Sequence, residues 1–170
     1  PMITQVYQFG TERWIEITNI STTETVNPNL IKVQLYKDKT GDQSGILPDV
    51  LYTVTSSVAP GRSVLFRNSA NTITNINSNA IVVENNDLTD IAGADDIITL
   101  SSQVNTTSYA NRYDVIESFT DNTSFVRIDE TLTGNATYTP SEWVVFVDDN
   151  LDPYRLLGAG GAERHPHAPL

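Results

Sequence analysis

The segment Glu12 to Ser21, ERWIEITNIS, sets the narrowest limits on what this chain can fold into. Ile15 and Ile17 fall on one side of an extended backbone, and Trp14, Glu16 and Thr18 fall on the other. That period of two belongs to a half-buried β-strand. A polar turn follows at once. The same unit, a short alternating run closed by Asn, Thr, Gly or Pro, recurs to the end of the chain.

Ile3 to Val6 precedes it as a short strand. Ile31, Val33 and Leu35 alternate with Lys32, Gln34 and Tyr36, the cleanest period of two in the sequence. Leu51 to Thr55 forms a further strand. Val58 to Asn68 joins a Pro60-Gly61 turn to a strand whose Val64 and Phe66 share a face. Ile81 to Glu84, Ile97 to Leu100, Tyr113 to Phe119, Ser124 to Asp129 and Glu142 to Val147 complete the set. No segment carries a helical period. Around nine short strands with turn residues between them predict an all-β fold, an antiparallel sandwich or barrel. Pro-flanked and polar strands are the expected edges.

At 170 residues the chain is expected to be one domain with a sizeable core. That domain spans 1–158. The glycine-rich stretch beyond it and the aperiodic ERHPHAPL read as a linker and tail over 159–170. The net charge of -11 repels phosphate backbones and anionic bilayers, so nucleic acid is excluded as a partner. With no cysteine, disulfides, thiolate metal sites and a Cys nucleophile are excluded too. No apolar run is long enough to span a bilayer, so no membrane insertion is expected. Pro1 as first residue implies a processed or cut N-terminus.

The strand segments, taken in order, resemble the lamin-tail domain, the immunoglobulin-like β-sandwich at the end of nuclear lamins, in its bacterial versions. Ile3-Thr4-Gln5-Val6 is similar to the family's I-x-E-V opening, with Gln5 in place of Glu. Arg13 to Asn19 resembles E-W-I-E-I-x-N. Val58-Ala59-Pro60-Gly61 followed by Val64-Leu65-Phe66 resembles the L-x-P-G turn and its strand. Ala94 to Leu100, Tyr113 to Glu117, Ser124 to Asp129 and Glu142 to Phe146 are similar to the later motifs. The D-L-S-G-W segment is only loosely echoed by Asn29 to Val33, and the loops at 37–57, 69–79 and 101–111 are longer than the family's. The resemblance implies an immunoglobulin-like antiparallel β-sandwich. It also implies a non-catalytic accessory module of an exported or surface bacterial protein, found outside the cell, on its surface or in the periplasm.

Several residues have the chemistry of a site and a plainer reading beside it. Asp148, Asp149, Asn150 and Asp152, and likewise Asn86, Asp87, Asp90, Asp95 and Asp96, offer the oxygens Ca²⁺ takes, but neither group follows a calcium-loop spacing. Asp38 to Asp42 reads as a hairpin loop. His165 and His167 suit Zn²⁺ or Ni²⁺ but lie in the tail without a further ligand. A Ser/His/Asp arrangement needs a rigidly held His, and both His residues are in that tail. Glu16, Glu117 and Glu142 are expected on wet strand faces rather than in a cleft. Trp14, Trp143, Tyr7, Tyr36, Tyr52, Tyr109, Tyr138 and Tyr154 could stack on a sugar, whereas packing is the commoner use of large aromatics. Asn19, Asn105, Asn122 and Asn135 head N-glycosylation triplets, which arise by chance in an Asn/Thr-rich chain.

The sequence therefore assigns no catalytic, cofactor-binding or metal-ligating residue, and no cofactor. It predicts a monomeric, non-enzymatic module that contacts another protein or spaces neighbouring domains. The alternative is a ligand-binding module for a glycan or calcium.

Overall fold

The computed structural model describes residues 1–39, 45–72, 76, 78–102 and 108–151. Two strands, β1 (Met2–Phe9) and β2 (Glu12–Thr18), form a hairpin whose loop is Gly10-Thr11. Gly10 has φ 56°, the left-handed backbone that tight hairpin turns require and that glycine adopts without strain. After it come β3 (Lys32–Tyr36), β4 (Val50–Thr53), β5 (Ser63–Arg67), β6 (Ile81–Glu84), β7 (Ile97–Ser101), β8 (Arg112–Glu117), β9 (Thr123–Arg127) and β10 (Trp143–Val147). Each expected run overlaps one of these strands. The helical content described is two single 3-10 turns, Tyr109–Asn111 and Pro140–Glu142.

The strands form two sheets, ordered β10-β9-β1-β2-β5-β6 and β4-β3-β7-β8, and neither closes on itself. The fold is thus an all-β sandwich, not a barrel. All strand pairs are antiparallel except β5 and β6, which run parallel at one edge. The edge strands β4 and β10 follow Pro48 and Pro140, but β5, which follows Pro60, lies inside its sheet between β2 and β6, because each of these prolines sits in the preceding turn and takes no place in a ladder.

Between the sheets lies the main core. Ile3, Val6, Ile15, Ile17, Val64 and Phe66 come from one sheet, and Val33, Leu35, Ile98, Leu100 and Ile116 from the other. Ile15 and Ile17 therefore face inward, and so do Val64 and Phe66. The turn before β5 is fixed by Gly61 at φ 68° and by Asn19, whose carbonyl accepts the Gly61 N–H at 2.8 Å. The Asn19 side chain donates to the carbonyls of Glu24 (2.8 Å) and Val58 (2.9 Å), pinning both loops to the end of β2.

The outer face of the central hairpin differs from the expected wet surface. Tyr7, Trp14, Leu65, Val126 and Leu151 form a second buried cluster there. The rings of Tyr7 and Trp14 stack 3.8 Å apart at 7°. Glu16 is fully buried on this face, which corrects its assignment to the surface. Strand alternation here sorts residues between two buried faces rather than between core and water. Glu16 is accommodated by hydroxyls: Thr4 and Thr18 donate to its Oε1 at 2.8 and 3.1 Å, and Ser63 lies 2.8 Å from Thr18. A third cluster, Tyr36, Ile97 and Val115 with Tyr109 against it, covers part of the other sheet's outer face.

One buried ion pair ties the sheets together. Asp114 on β8 and Arg127 on β9 each share strand parity with a core residue, Ile116 and Phe125, so both point between the layers. Their side chains are wholly buried and joined by a salt bridge. Asp114 also accepts the N–H of Ile3 (2.7 Å) and of Asn135 (2.9 Å). The Arg127 guanidinium lies 4.4 Å over the Trp143 ring and 3.5 Å from the Glu142 carboxylate. Burial raises the Asp114 carboxyl above its ordinary range, opposed by the Arg127 charge and the two amides. Gly134 makes room for this arrangement. A Cβ there would lie 2.9 Å from both the Asp114 Cβ and the Tyr113 carbonyl oxygen.

Two stability measurements follow. Arg127→Met leaves a buried carboxylate without its cation and is expected to cost about 3–5 kcal/mol in urea unfolding. Adding Asp114→Asn, which keeps an acceptor for Ile3 and Asn135, should restore part of that loss. A double variant as unstable as the sum of the singles would refute the coupling. Gly134→Ala should destabilise by about 1–3 kcal/mol, because backbone and not a flexible side chain would have to move.

Candidate functional site

Some members of the acidic clusters are tied into their loops, while Asp87, Asp95 and Asp148 are exposed. Asp96 is buried and accepts the N–H groups of Asp38 (3.0 Å), Ala92 (2.7 Å) and Gly93 (3.3 Å). Asp90 pairs with Lys37, a hydrogen bond that raises the Lys37 ammonium above its usual range. Asn86 accepts from the Ser69 N–H at 2.8 Å. A polar cleft of about 450 Å³ lined by Arg13, Asn68, Asn86, Asp87, Thr89 and Asp90 runs beside these groups. Its side chains are engaged locally: Arg13 donates to the carbonyls of Gly10 and Glu12 at 2.7 and 2.8 Å, and Asn68 bonds the Arg13 N–H at 3.0 Å and the Thr11 carbonyl at 2.6 Å.

In the second cluster Asp149 accepts from the Tyr7 hydroxyl at 2.7 Å, and the Asn150 side chain donates to the Val147 carbonyl at 2.8 Å. Asp152, Tyr154, His165, His167, Asn105 and Thr40 to Asp42 lie outside the described residues. Among the described residues, no three of His, Cys, Asp and Glu converge on a point that could hold a metal.

Among the described residues, the aromatic side chains do not make a shared outer platform. Trp14, Tyr7 and Tyr36 are essentially inaccessible, and Trp143 is buried under Arg127 with its ring edge-on to Phe125. Tyr52 packs edge-on against Phe66, and Tyr109 sits between Tyr36 and the guanidinium of Arg112. Glu142 joins Arg127 and the Asn135 side chain, so it too serves the inter-sheet tie. Asn19 is buried and doubly bonded through its amide, which leaves no access for a glycan.

What sequence reading missed lies on β10. Its residues Val144, Val145 and Val147 are 45%, 52% and 59% exposed, on an edge with no further strand beside it among the described residues. Val144 and Phe146 occupy one face, and Trp143, Val145 and Val147 the other. Val144, Phe146 and Val126 line a cleft of about 250 Å³, with Asp129 and Glu130 on its rim. The run WVVFV was visible in the sequence as a strong strand. Nothing in it distinguishes an exposed edge from a central strand, because both read as unbroken apolar runs. Among the described residues no helix is long and apolar enough to cross a membrane.

The structural role of the acidic loops can be measured. Asp96→Ala orphans three backbone donors and should cost about 1–3 kcal/mol, whereas exposed Asp87→Ala should stay within about 0.5 kcal/mol of the parent. Calcium should leave the melting temperature of the parent protein unchanged. A calcium-dependent rise would return these loops to consideration as a cation site.

No protein-family model matches the chain, and neither does any curated protein or solved structure.

Proposed function

We propose that the chain is a non-catalytic accessory β-sandwich module, related to the bacterial lamin-tail domains, that makes contact with another protein. The observation that carries this reading is the β10 edge, where Val145 and Val147 are exposed on one face and Val144 on the other. Exposed apolar surface concentrated in one place marks interaction sites more often than scattered exposure does. The buried ionisable groups described above support the non-catalytic part. Asp114, Arg127, Glu16 and Asp96 are held by groups that fix strands and loops. The motif order shared with the lamin-tail family supports placement in an exported or surface protein of a bacterium, outside the cytoplasm.

The test is site-specific photo-crosslinking in the native cell. A photoreactive residue at Val145 or Val147 is expected to trap one defined partner protein, and the same residue at Leu51, exposed on the other sheet, is expected to trap none. Crosslinks from Leu51 alone, or from neither place, would overturn the assignment of the contact to this edge.

A further inference from the structure

We infer that the β10 edge receives an extended segment of another polypeptide as an added strand, and that this segment carries lysine or arginine alternating with β-branched residues. The inference rests on the interaction reading above and goes beyond it by naming the mode of binding and the chemistry of the partner.

The backbone supplies the first half of the argument. β10 pairs with β9 without a register break from Trp143–Arg127 to Val147–Thr123. Hydrogen bonding to a single neighbour alternates along an antiparallel strand. The Ile128 N–H bonds the Glu142 carbonyl at 2.9 Å, so positions 142, 144 and 146 address β9. Positions 143, 145 and 147 turn their backbone groups outward. The Trp143 N–H is taken by the Pro140 carbonyl, and the Val147 carbonyl by Asn150. Among the described residues, the Trp143 carbonyl, both backbone groups of Val145 and the Val147 N–H are left to receive a strand. The edge also lacks the usual guards. WVVFV contains no charge and no proline, and its pairing contains no bulge. Of the other edges, β8 carries Arg112, Asp114 and Glu117 and β6 ends in Glu84; β4, VLYT, is uncharged as well but spans four residues.

Charge supplies the second half. Asp129 and Glu130 rim the cleft formed with Val144 and Phe146, and Asp148 and Asp149 close the strand. Among the described residues lining this cleft the one cation is Arg127, whose side chain is buried and joined to Asp114. A lysine or arginine on the added strand would lay its alkyl stem over Val144 and Phe146 and reach the carboxylates with its charged head. Its neighbours would face Val145 and Val147, where β-branched side chains pack well. A second copy of this chain is a poor occupant, since the net charge is -11 and edge-to-edge pairing would bring these acidic ends together.

The probes are three synthetic peptides, KVKVKVK, EVEVEVE and KVKPKVK, titrated into the isotope-labelled full chain. KVKVKVK is expected to slow amide exchange at Val145 and Val147 and to bind more weakly as salt rises. EVEVEVE and KVKPKVK should bind at least about tenfold more weakly. Val145→Pro removes only an outward donor and should abolish binding while the chain keeps its melting temperature. Asp129→Asn with Glu130→Gln should weaken KVKVKVK and flatten its salt dependence, which keeps the proposal testable should the proline variant fail to fold. Equal binding of EVEVEVE, or binding that shifts residues away from β10, overturns the inference. So does concentration-dependent self-association that is lost in Val145→Pro, which would make a second copy the occupant. Failure of KVKVKVK to bind while Val145 still crosslinks to a partner in cells would overturn strand addition and leave the interaction reading standing.

Discussion

The pair formed by Asp114 and Arg127 is the constraint on which the relation between the two sheets depends. Apolar packing between sheets is nearly indifferent to small shifts, since one valine contact resembles the next. A buried carboxylate is not indifferent. It must keep the Arg127 cation, and it must also keep the amides of Ile3 and Asn135. Those partners come from β9, from β1 and from the loop before β10, while Asp114 itself sits on β8. Four separate stretches of chain are thus held in one relative placement. The net energy of such a pair is small against a well-packed apolar substitute, because desolvation offsets the Coulomb attraction. Its effect is on specificity: a slipped β8 or β9 would leave an uncompensated charge in the core.

Much of this fold is legible from period two alone. β3 shows why. Val33 and Leu35 face the main core, and the polar and aromatic Gln34 and Tyr36 face away. Alternation cannot say whether the second face is wet, and β2 is where that matters. Trp14, Glu16 and Thr18 look like a solvent face in sequence, yet all three are buried. The partners that make this tolerable, Thr4, Ser63, Gln5 and Tyr7, come from neighbouring strands, and their registers are not written in β2. The Trp14 indole N–H, for example, reaches Gln5 across the hairpin at 3.1 Å.

The loops mislead in the opposite direction. Asp96, Asn86, Asn68 and Asn135 stand in acidic or Asn-rich stretches that resemble ligand sites when read along the chain. Short polar side chains bond readily to nearby backbone, and that local chemistry claims them before any ligand does. Asp96 closes the turn from Ala92 to Gly93 and holds the Asp38 amide, so it ties two loops that are far apart in sequence. The inward Arg127 was readable only as part of a motif, since one arginine in an apolar strand gives no sign of where its partner lies.

The acidity of the chain and the bare edge of β10 belong to one physical account. An unguarded apolar edge in a neutral protein invites pairing between copies. Here the carboxylates sit just off the strand, at Asp129, Glu130, Asp148 and Asp149, rather than in it. Their field reaches about one Debye length, roughly 8–10 Å at cellular ionic strength. That is enough to disfavour the approach of an identical acidic edge and too short to disturb the pairing of β10 with β9. The same field attracts a cationic segment. Keeping charge out of the strand leaves its outward backbone groups and valines able to bind, and placing charge beside the strand selects what may approach. Moving a single lysine into β10 would protect the edge against self-pairing equally well, but it would repel the cationic strand that the present arrangement admits.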